Sequence, residues 1–575
     1  MRTAAANDDG TAVVDLRADR ERRTKLIVES RAPKKLISAG PGTGKTTTFK
    51  RALAVCGGRG LALTFINSLV ADLEDRLADV ADVFTFHGFC KYLLHRINVT
   101  GLTKGFEYYP PLFILLSEDL KITGPSQCTP EEIEHLFHRM DDSGGVISTT
   151  LKLGSYYDSV GHSDSVFRVQ QHFHNCHAAV PAYPLIVVDE YQDFNRLEVE
   201  FIRLLSAKSP VLIVGDDDQA LYAFKDADPR FIRELAGSSE FEKFELPYCS
   251  RCTEVIVNAV EDVLRCAKAR GWLAGRIPKP FTWFPPDKQE DSKRHPHIIH
   301  ADCTVERKNA PLMGRYVAEQ IRQIPQKDIE QAYEDGEPSA LVIGPSQFVS
   351  LVHREVQKEF GDAEIKKSDK LVVDCVHGYG MLARNPESRL GWRIILHCFS
   401  PDKIPEVVKN YVVAGRDFIP SLPADFRRKH LSTVALIGRL AQNEDLSAQD
   451  ERKVLAATGH SMQEIQKLLG AAEEPEHSRD PSSPHIVCTT LLGAKGLAAP
   501  HVFMVGMNNG HLPRKAAAIM DDEIRQFIVG LTRTRKQCHV VSCRRFGADT
   551  TAPSVFLNWI AKRLFHQFID AAHFK

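Results

Sequence analysis

The chain has 575 residues, 43% of them hydrophobic and 26% charged, with 73 Lys plus Arg against 74 Asp plus Glu for a net charge of −1. That length is more than one hydrophobic core serves, and the composition is globular, which excludes disordered, collagenous and small disulfide-stapled classes. The charge balance excludes a surface that is basic throughout, while leaving a local basic groove open.

Residues 1–23 contain no apolar run, which predicts a chain without a secretory leader. No apolar stretch approaches the roughly 20 residues that span a bilayer, so no membrane partner is expected. The 13 cysteines are odd in number and scattered, a usage that fits the reducing cytoplasm.

In chain order, the first strand-like run is Lys35 to Ser38, which leads into Ala39-Gly40-Pro41-Gly42-Thr43-Gly44-Lys45-Thr46. Leu61 to Phe65 reads as a second strand, followed by a helical stretch from Ser68 to Val80. Pro184 to Val188 precedes Asp189-Glu190, and Pro210 to Val214 precedes Gly215-Asp216. Short β-branched runs separated by helical patterns predict a buried parallel sheet with crossover helices. A second set, at Ala340–Ile343, Pro484–Cys488, Val502–Val505 and Cys538–Ser542, predicts a second sheet of the same layout, with a helix Asp521–Leu531 before its last strand. Two helical stretches interrupt the plan, residues 91–180 and 399–482. The fold class is therefore α/β, with two parallel-sheet domains carrying helical insertions and a binding site in the cleft between them.

Ala39 to Thr46 fits the phosphate-loop pattern G-x-x-x-x-G-K-[ST], with Ala39 in place of the first glycine. Glycines let backbone N–H groups converge on phosphate oxygens at a helix N-terminus. Lys45 is expected to reach the β- and γ-phosphates and the Thr46 hydroxyl to join a Mg²⁺ shell. Asp189, at the end of an apolar strand, is placed to hold the same Mg²⁺, and Glu190 to polarise an attacking water. These residues imply an NTP hydrolase.

Asp189-Glu190-Tyr191-Gln192-Asp193, followed by Gly215-Asp216-Asp217-Asp218-Gln219-Ala220-Leu221-Tyr222, resembles motifs II and III of the superfamily 1A helicases of the UvrD, Rep and PcrA type. Thr64-Phe65-Ile66-Asn67 is similar to motif Ia, Thr85-Phe86-His87-Gly88 to the segment after it, Ala494-Lys495-Gly496-Leu497 to motif V, and Val529 to Thr534 to motif VI. The motifs fall in the family's order across nearly the whole chain.

The resemblance implies two RecA-like P-loop domains: 1A from 1–90 and 181–262, a helical 1B from 91–180, 2A from 263–398 and 483–575, and a reduced 2B from 399–482. It implies ATP and Mg²⁺ as cofactors. It assigns Glu190, Gln219, Arg251 and Arg533 to catalysis, the two arginines reaching the γ-phosphate across the cleft. Residues Ala39 to Thr46, with Gln192 and Gly496, would contact nucleotide, and Thr46 and Asp189 the metal. Thr64, Phe65, Asn67, His87, Tyr222, Phe224 and Thr490 would line a track for single-stranded DNA, where bases stack on aromatics. The implied activity is ATP-driven translocation or unwinding, 3′ to 5′, on single-stranded or tailed duplex DNA.

Some positions depart from the family pattern. No Gln precedes Thr46, Ser250 replaces the motif IV tyrosine (with Tyr248 nearby), and Leu492 and Ala498 replace the motif V His and Glu. Relaxed preference for ATP over other NTPs is expected. The short second insertion makes the chain similar to the helicase-like subunit of anti-phage systems such as Gabija, whose partner is a separate nuclease. The alternative function is then a DNA-sensing ATPase subunit of a defence complex that activates that nuclease without processive unwinding. Cys249-x-x-Cys252 lacks a second pair, and the group His172, His174, Cys176, His177 matches no zinc spacing.

Overall fold

The computed structural model describes residues 15–64, 73–74, 76–99, 101–124, 127–307, 310–361, 363–366, 371–470 and 480–575. Phe65 and Asn67, and much of the expected helix Ser68–Val80, lie outside the described residues.

The first sheet has six parallel strands in the order Ala81–Thr85, Gly60–Thr64, Ile186–Val188, Val211–Gly215, Lys34–Ala39 and Glu242–Leu246. The apolar runs at Leu36–Ile37, Ile186–Val188 and Val211–Val214 are buried on both faces, as helix-covered parallel strands require. Leu16–Glu29 and Lys45–Ala54 cover one face, and Phe86–Leu94 and Arg196–Ser206 the other. The phosphate loop, Asp189 and Asp216 all follow the carboxyl ends of neighbouring central strands, where ligands bind in sheets of this kind.

The second sheet has seven parallel strands: Glu364–Lys366, Ile486–Thr490, Ala340–Gly344, Ala499–Val505, Thr534–Cys543, Ile298–Cys303 and Leu564–Ile569. Glu254–Ala269 and Asp521–Leu531 pack on one face, Leu312–Arg322 and Ser346–Phe360 on the other. The expected division at residue 262 therefore falls inside a helix. Val255, Ile256, Val260 and Val263 share a core with Ile298, Leu341 and Phe527, so the chain has left the first lobe before this helix begins.

The two helical insertions share one core. Leu112, Leu116 and Phe137 of the first pack with Val376, Trp392, Ile437, Val454 and Ile465 of the second. Residues before the expected start at 399 take part in this packing. Helices Cys375–Arg384 and Arg389–Phe399 bury their apolar sides among these residues, not against the second sheet. At the centre, Arg393 is fully buried and donates to the Asp119 carboxylate at 2.7 and 3.1 Å and to Glu118 at 2.8 Å, while Tyr157 donates to the other Asp119 oxygen at 2.7 Å. Breaking a buried pair strands a charge at a cost of about 3–5 kcal/mol. Arg393→Ala is accordingly expected to speed proteolysis and amide exchange in Leu112–Thr123 and Arg389–Phe399 together. Joint replacement of Arg393 by Met and Asp119 by Leu should recover most of the loss, because no charge is then left buried.

Candidate nucleotide and strand site

The phosphate loop is shaped by its glycines. Gly42 and Gly44 have φ of 67° and 88°, a left-handed backbone open to glycine. A Cβ on Gly42 would lie 2.3 Å from the Arg251 Cβ, so this glycine also admits the motif IV turn. Ser250 N–H donates to the Gly42 carbonyl at 2.9 Å, and Thr43 Oγ1 to the Gly40 carbonyl at 2.9 Å. Thr46 lies in the first turn of the helix Lys45–Ala54. Ala39 and Pro41 are buried, and a Cβ on Gly40 would meet the Phe281 ring.

Lys45 Nζ donates to Glu190 Oε1 at 2.9 Å and lies 3.8 Å from Asp189 Oδ1. Burial opposes the Lys45 charge, but Glu190 and Asp189 outweigh it and hold the ammonium above its ordinary value. The Glu190 carboxylate is likewise kept ionised: burial opposes its charge, while Lys45 and Lys495 hold it well below the usual range. Glu190 has φ of 53°, a left-handed conformation that non-glycine residues adopt at a cost and that aims its side chain at the loop.

The Gln192 amide is fully engaged within the protein. It donates to Glu190 Oε2 at 2.5 Å and Asp193 Oδ2 at 3.2 Å, and accepts the Asp216 N–H at 2.9 Å. Through these contacts it ties motif II to motif III. Gln219 donates to Asp216 Oδ2 at 2.7 Å and accepts Arg533 Nη2 at 3.1 Å across the cleft.

Arg533 is buried, at 3% exposure, and its hydrogen bonds go to the Val529 and Leu497 carbonyls, the Gln219 side chain and the Thr532 hydroxyl. No carboxylate pairs with it among the described residues. Burial, with the nearby Arg251, pushes it down to about 10. A buried guanidinium without a counter-anion suits a phosphate ligand. Together with the glycine cradle and the Thr46 and Asp189 oxygens, it fits a nucleoside triphosphate with Mg²⁺.

Several residues of this site were not singled out from sequence. Lys495 reaches from the second lobe to donate to Asp193 and to the Gln219 carbonyl at 3.0 Å, and lies 3.6 Å from Glu190 Oε2. Burial pushes the Asp193 carboxyl up to about 6 despite this partner. Gly496, next to Lys495, has φ of 86° and forms the turn that presents it. Lys279 pairs with Asp216, Asp217 and Asp218 at 2.7–2.8 Å, with Arg276 and Arg233 alongside, so this acidic triplet is neutralised by protein cations. Asp226 is gripped by His135, His138 and Arg139 of the helix Pro130–Arg139, which fixes the motif III loop to the first insertion. A sequence motif points only to Lys495.

On the strand side, Phe224 is 55% exposed, and Tyr222 lies beside it with ring centroids 5.8 Å apart. Lys225 and Lys495 sit over the Tyr222 ring at 5.6 and 5.3 Å. Thr490 ends its strand half-buried and accepts the Gly493 N–H at 3.1 Å. Thr64 ends the corresponding edge of the first sheet but is fully buried, its hydroxyl without a partner among the described residues, so it is not part of the exposed track in this closed form. His87, at the start of its helix, packs edge-on to His162 at 5.0 Å, and burial pushes it down to about 3.

Two family models match the chain: the AAA domain over residues 24–225 and the UvrD-like helicase C-terminal domain over residues 435–545. DNA helicase II of Haemophilus influenzae is 23% identical over 87% of this chain and 81% of its own length. The probable DNA helicase II homolog of Mycoplasma genitalium is 20% identical, over 93% and 86%. The ATP-dependent DNA helicase PcrA of Staphylococcus aureus is 24% identical over 40% of this chain and 38% of its own. Both ends of the nucleotide cleft thus fall within matched regions, and these matches support a UvrD/Rep/PcrA-like superfamily 1 helicase, an ATP-dependent DNA helicase.

Proposed function

We propose that the chain is a Mg²⁺- and ATP-dependent motor that moves 3′ to 5′ along single-stranded DNA, taking hold of free strands or tailed duplex ends. The observation that carries this reading is Arg533: a buried guanidinium from the second lobe, paired with Gln219 of the first and lacking a counter-anion among the described residues.

ATP entering the loop would take Glu190's place as the partner of Lys45. The Glu190 carboxylate is then free to orient the attacking water and accept its proton. Thr46 and Asp189 would hold Mg²⁺, whose charge would offset that of the phosphates. Arg533 and Arg251 would meet charge developing on the transferred phosphoryl group, so hydrolysis requires both lobes. Lys495 carries closure onward, since one ammonium touches Asp193 and lies over the Tyr222 ring where a base would stack. Departure of phosphate loosens the lobes, and alternating grip turns each cycle into a step.

Beside the loop, a cavity of about 260 Å³ is lined by Arg20, Thr24, Thr43, Gly44, Phe284 and Asp287. Arg20 lies over the Phe284 ring at 4.8 Å and 3.3 Å from Asp287. Both Arg20 and Asp287 offer flexible charged groups in place of a fixed amide, which supports relaxed base preference.

The shared core of the two insertions favours a second reading, a DNA-sensing ATPase of a defence complex that acts on a nuclease partner, because a helical cap fused in this way limits the swing that sustained unwinding needs.

ATPase activity with and without single-stranded DNA, followed by displacement on a 3′-tailed duplex, tests these readings. Stimulation with displacement is expected of the motor, stimulation alone of the sensor, and turnover indifferent to DNA would sink both. Lys45→Ala should lower kcat about 10²-fold or more, and Arg533→Ala about 10³-fold. Lys495→Ala should lower basal turnover and also lose most DNA stimulation, which a titration with oligonucleotide would read directly. ATP, GTP and CTP at equal concentration should be turned over within about tenfold of one another; a 10²-fold preference for ATP would contradict relaxed selection.

A further inference from the structure

The nucleotide site does not account for Cys249 and Cys252, which flank Ser250 and Arg251 in one turn. This turn lies where the chain passes between the lobes. Tyr248–Cys249 pairs with Thr282–Trp283, and the helix Glu254–Ala269 then opens the second core. Both sulfurs are fully buried, and their neighbours are unusual for structural thiols. The Cys252 N–H donates to Cys249 Sγ at 3.4 Å, and the Cys252 thiol faces the Thr532 carbonyl at 3.7 Å. Burial opposes ionisation of Cys249, but the Cys252 thiol and the amides of Cys252 and Arg251 outweigh it and hold Cys249 below its ordinary value. Burial and the hydrogen bond it donates hold Cys252 as the thiol. Two buried sulfurs three residues apart in one turn, the first accepting the backbone N–H of the second, have the arrangement of a reactive C-x-x-C pair.

The turn touches both halves of the nucleotide site. Ser250 N–H holds the Gly42 carbonyl at 2.9 Å, the Arg251 Cβ packs where a Gly42 Cβ would be, and Cys252 Sγ lies 3.7 Å from the carbonyl of Thr532, next to Arg533. Joining the sulfurs at about 2.05 Å would pull Cys252 off the Thr532 carbonyl and re-form the backbone of Arg251.

We propose that Cys249 and Cys252 form a reversible disulfide on exposure to a peroxide, and that this bond stops hydrolysis by withdrawing Arg251 from the phosphate loop. The functional half of this rests on Arg251 acting on the γ-phosphate. The Cys249 thiolate attacks one peroxide oxygen and the O–O bond breaks, leaving a sulfenic acid and a hydroxide that takes a solvent proton. Cys252 then gives up its proton and attacks the sulfenic sulfur. The S–S bond forms, the S–O bond breaks, and hydroxide leaves with that proton as a second water. Two electrons pass from sulfur to peroxide, and a dithiol returns them by exchange. Both sulfurs lie in the second core beneath the phosphate-loop contact, so the oxidant reaches them only when this turn loosens.

The test treats the full chain with hydrogen peroxide, blocks remaining thiols with iodoacetamide, and follows peptide maps and DNA-stimulated ATPase in parallel. A 249–252 peptide about 2 Da lighter than its dithiol form should accumulate as turnover falls about tenfold or more, and dithiothreitol should reverse both. Cys252→Ser and, separately, Cys249→Ala should keep their activity through the same treatment. The proposal is overturned if the linked peptide is absent, if it forms without loss of turnover, or if both variants are inactivated alongside the wild type, which would place the damage among the other cysteines. Reduced Arg251→Ala with unchanged turnover would strike the assignment of Arg251, while the peptide map would still report on the bond.

Discussion

The site is organised around one buried carboxylate held from two sides. Glu190 meets Lys45 of its own lobe and Lys495 of the other, and Asp189 and Asp193 crowd the same space. Negative charge out of water is tolerated only when cations accompany it, and the first lobe brings just one of these lysines. Closure is therefore partly a matter of charge compensation. Arg533 adds a guanidinium with no anion of its own among the described residues, so the closed cleft is poised for a ligand that brings negative charge with it.

The path from nucleotide to strand runs through side chains that each have two neighbours in the chain of contacts. Gln192 joins Glu190 to the Asp216 backbone, Gln219 joins Asp216 to Arg533, and Lys495 joins Asp193 to the Tyr222 ring. Asp226 ends the same loop in the grip of the first insertion. Motif III is thus a short, rigid segment in contact with triphosphate site, base platform and helical cap. Lys279 supports it from beneath by balancing three adjacent aspartates that would otherwise repel one another.

Much of this was legible in the chain itself. Parallel strands buried on both faces need continuous apolar runs, so Ile186–Val188, Val211–Val214 and Val502–Val505 stand out, and the glycine-rich loop declares its function by composition. Lys495 stands in a motif, but its role was not legible, because its partner Asp193 is 302 positions away. The extent of the second insertion was hidden for a related reason. Helix periodicity in Cys375–Arg384 and Arg389–Phe399 shows an apolar face but not which core receives it, and the receiving core belongs largely to another stretch of sequence. The roles of His135 and His138 depend on Asp226 arriving from a different element, which helical spacing alone does not reveal.

Because the two helical insertions bury a common interior, the α/β lobes are joined at two places outside the nucleotide cleft: the covalent crossing near Cys249 and the cap centred on Arg393. A body fastened at two points keeps one easy freedom, pivoting about the line through both. The jaws of this molecule accordingly open like a door on a pair of pins, and torque generated at the triphosphate is delivered along a direction that the fold has already chosen.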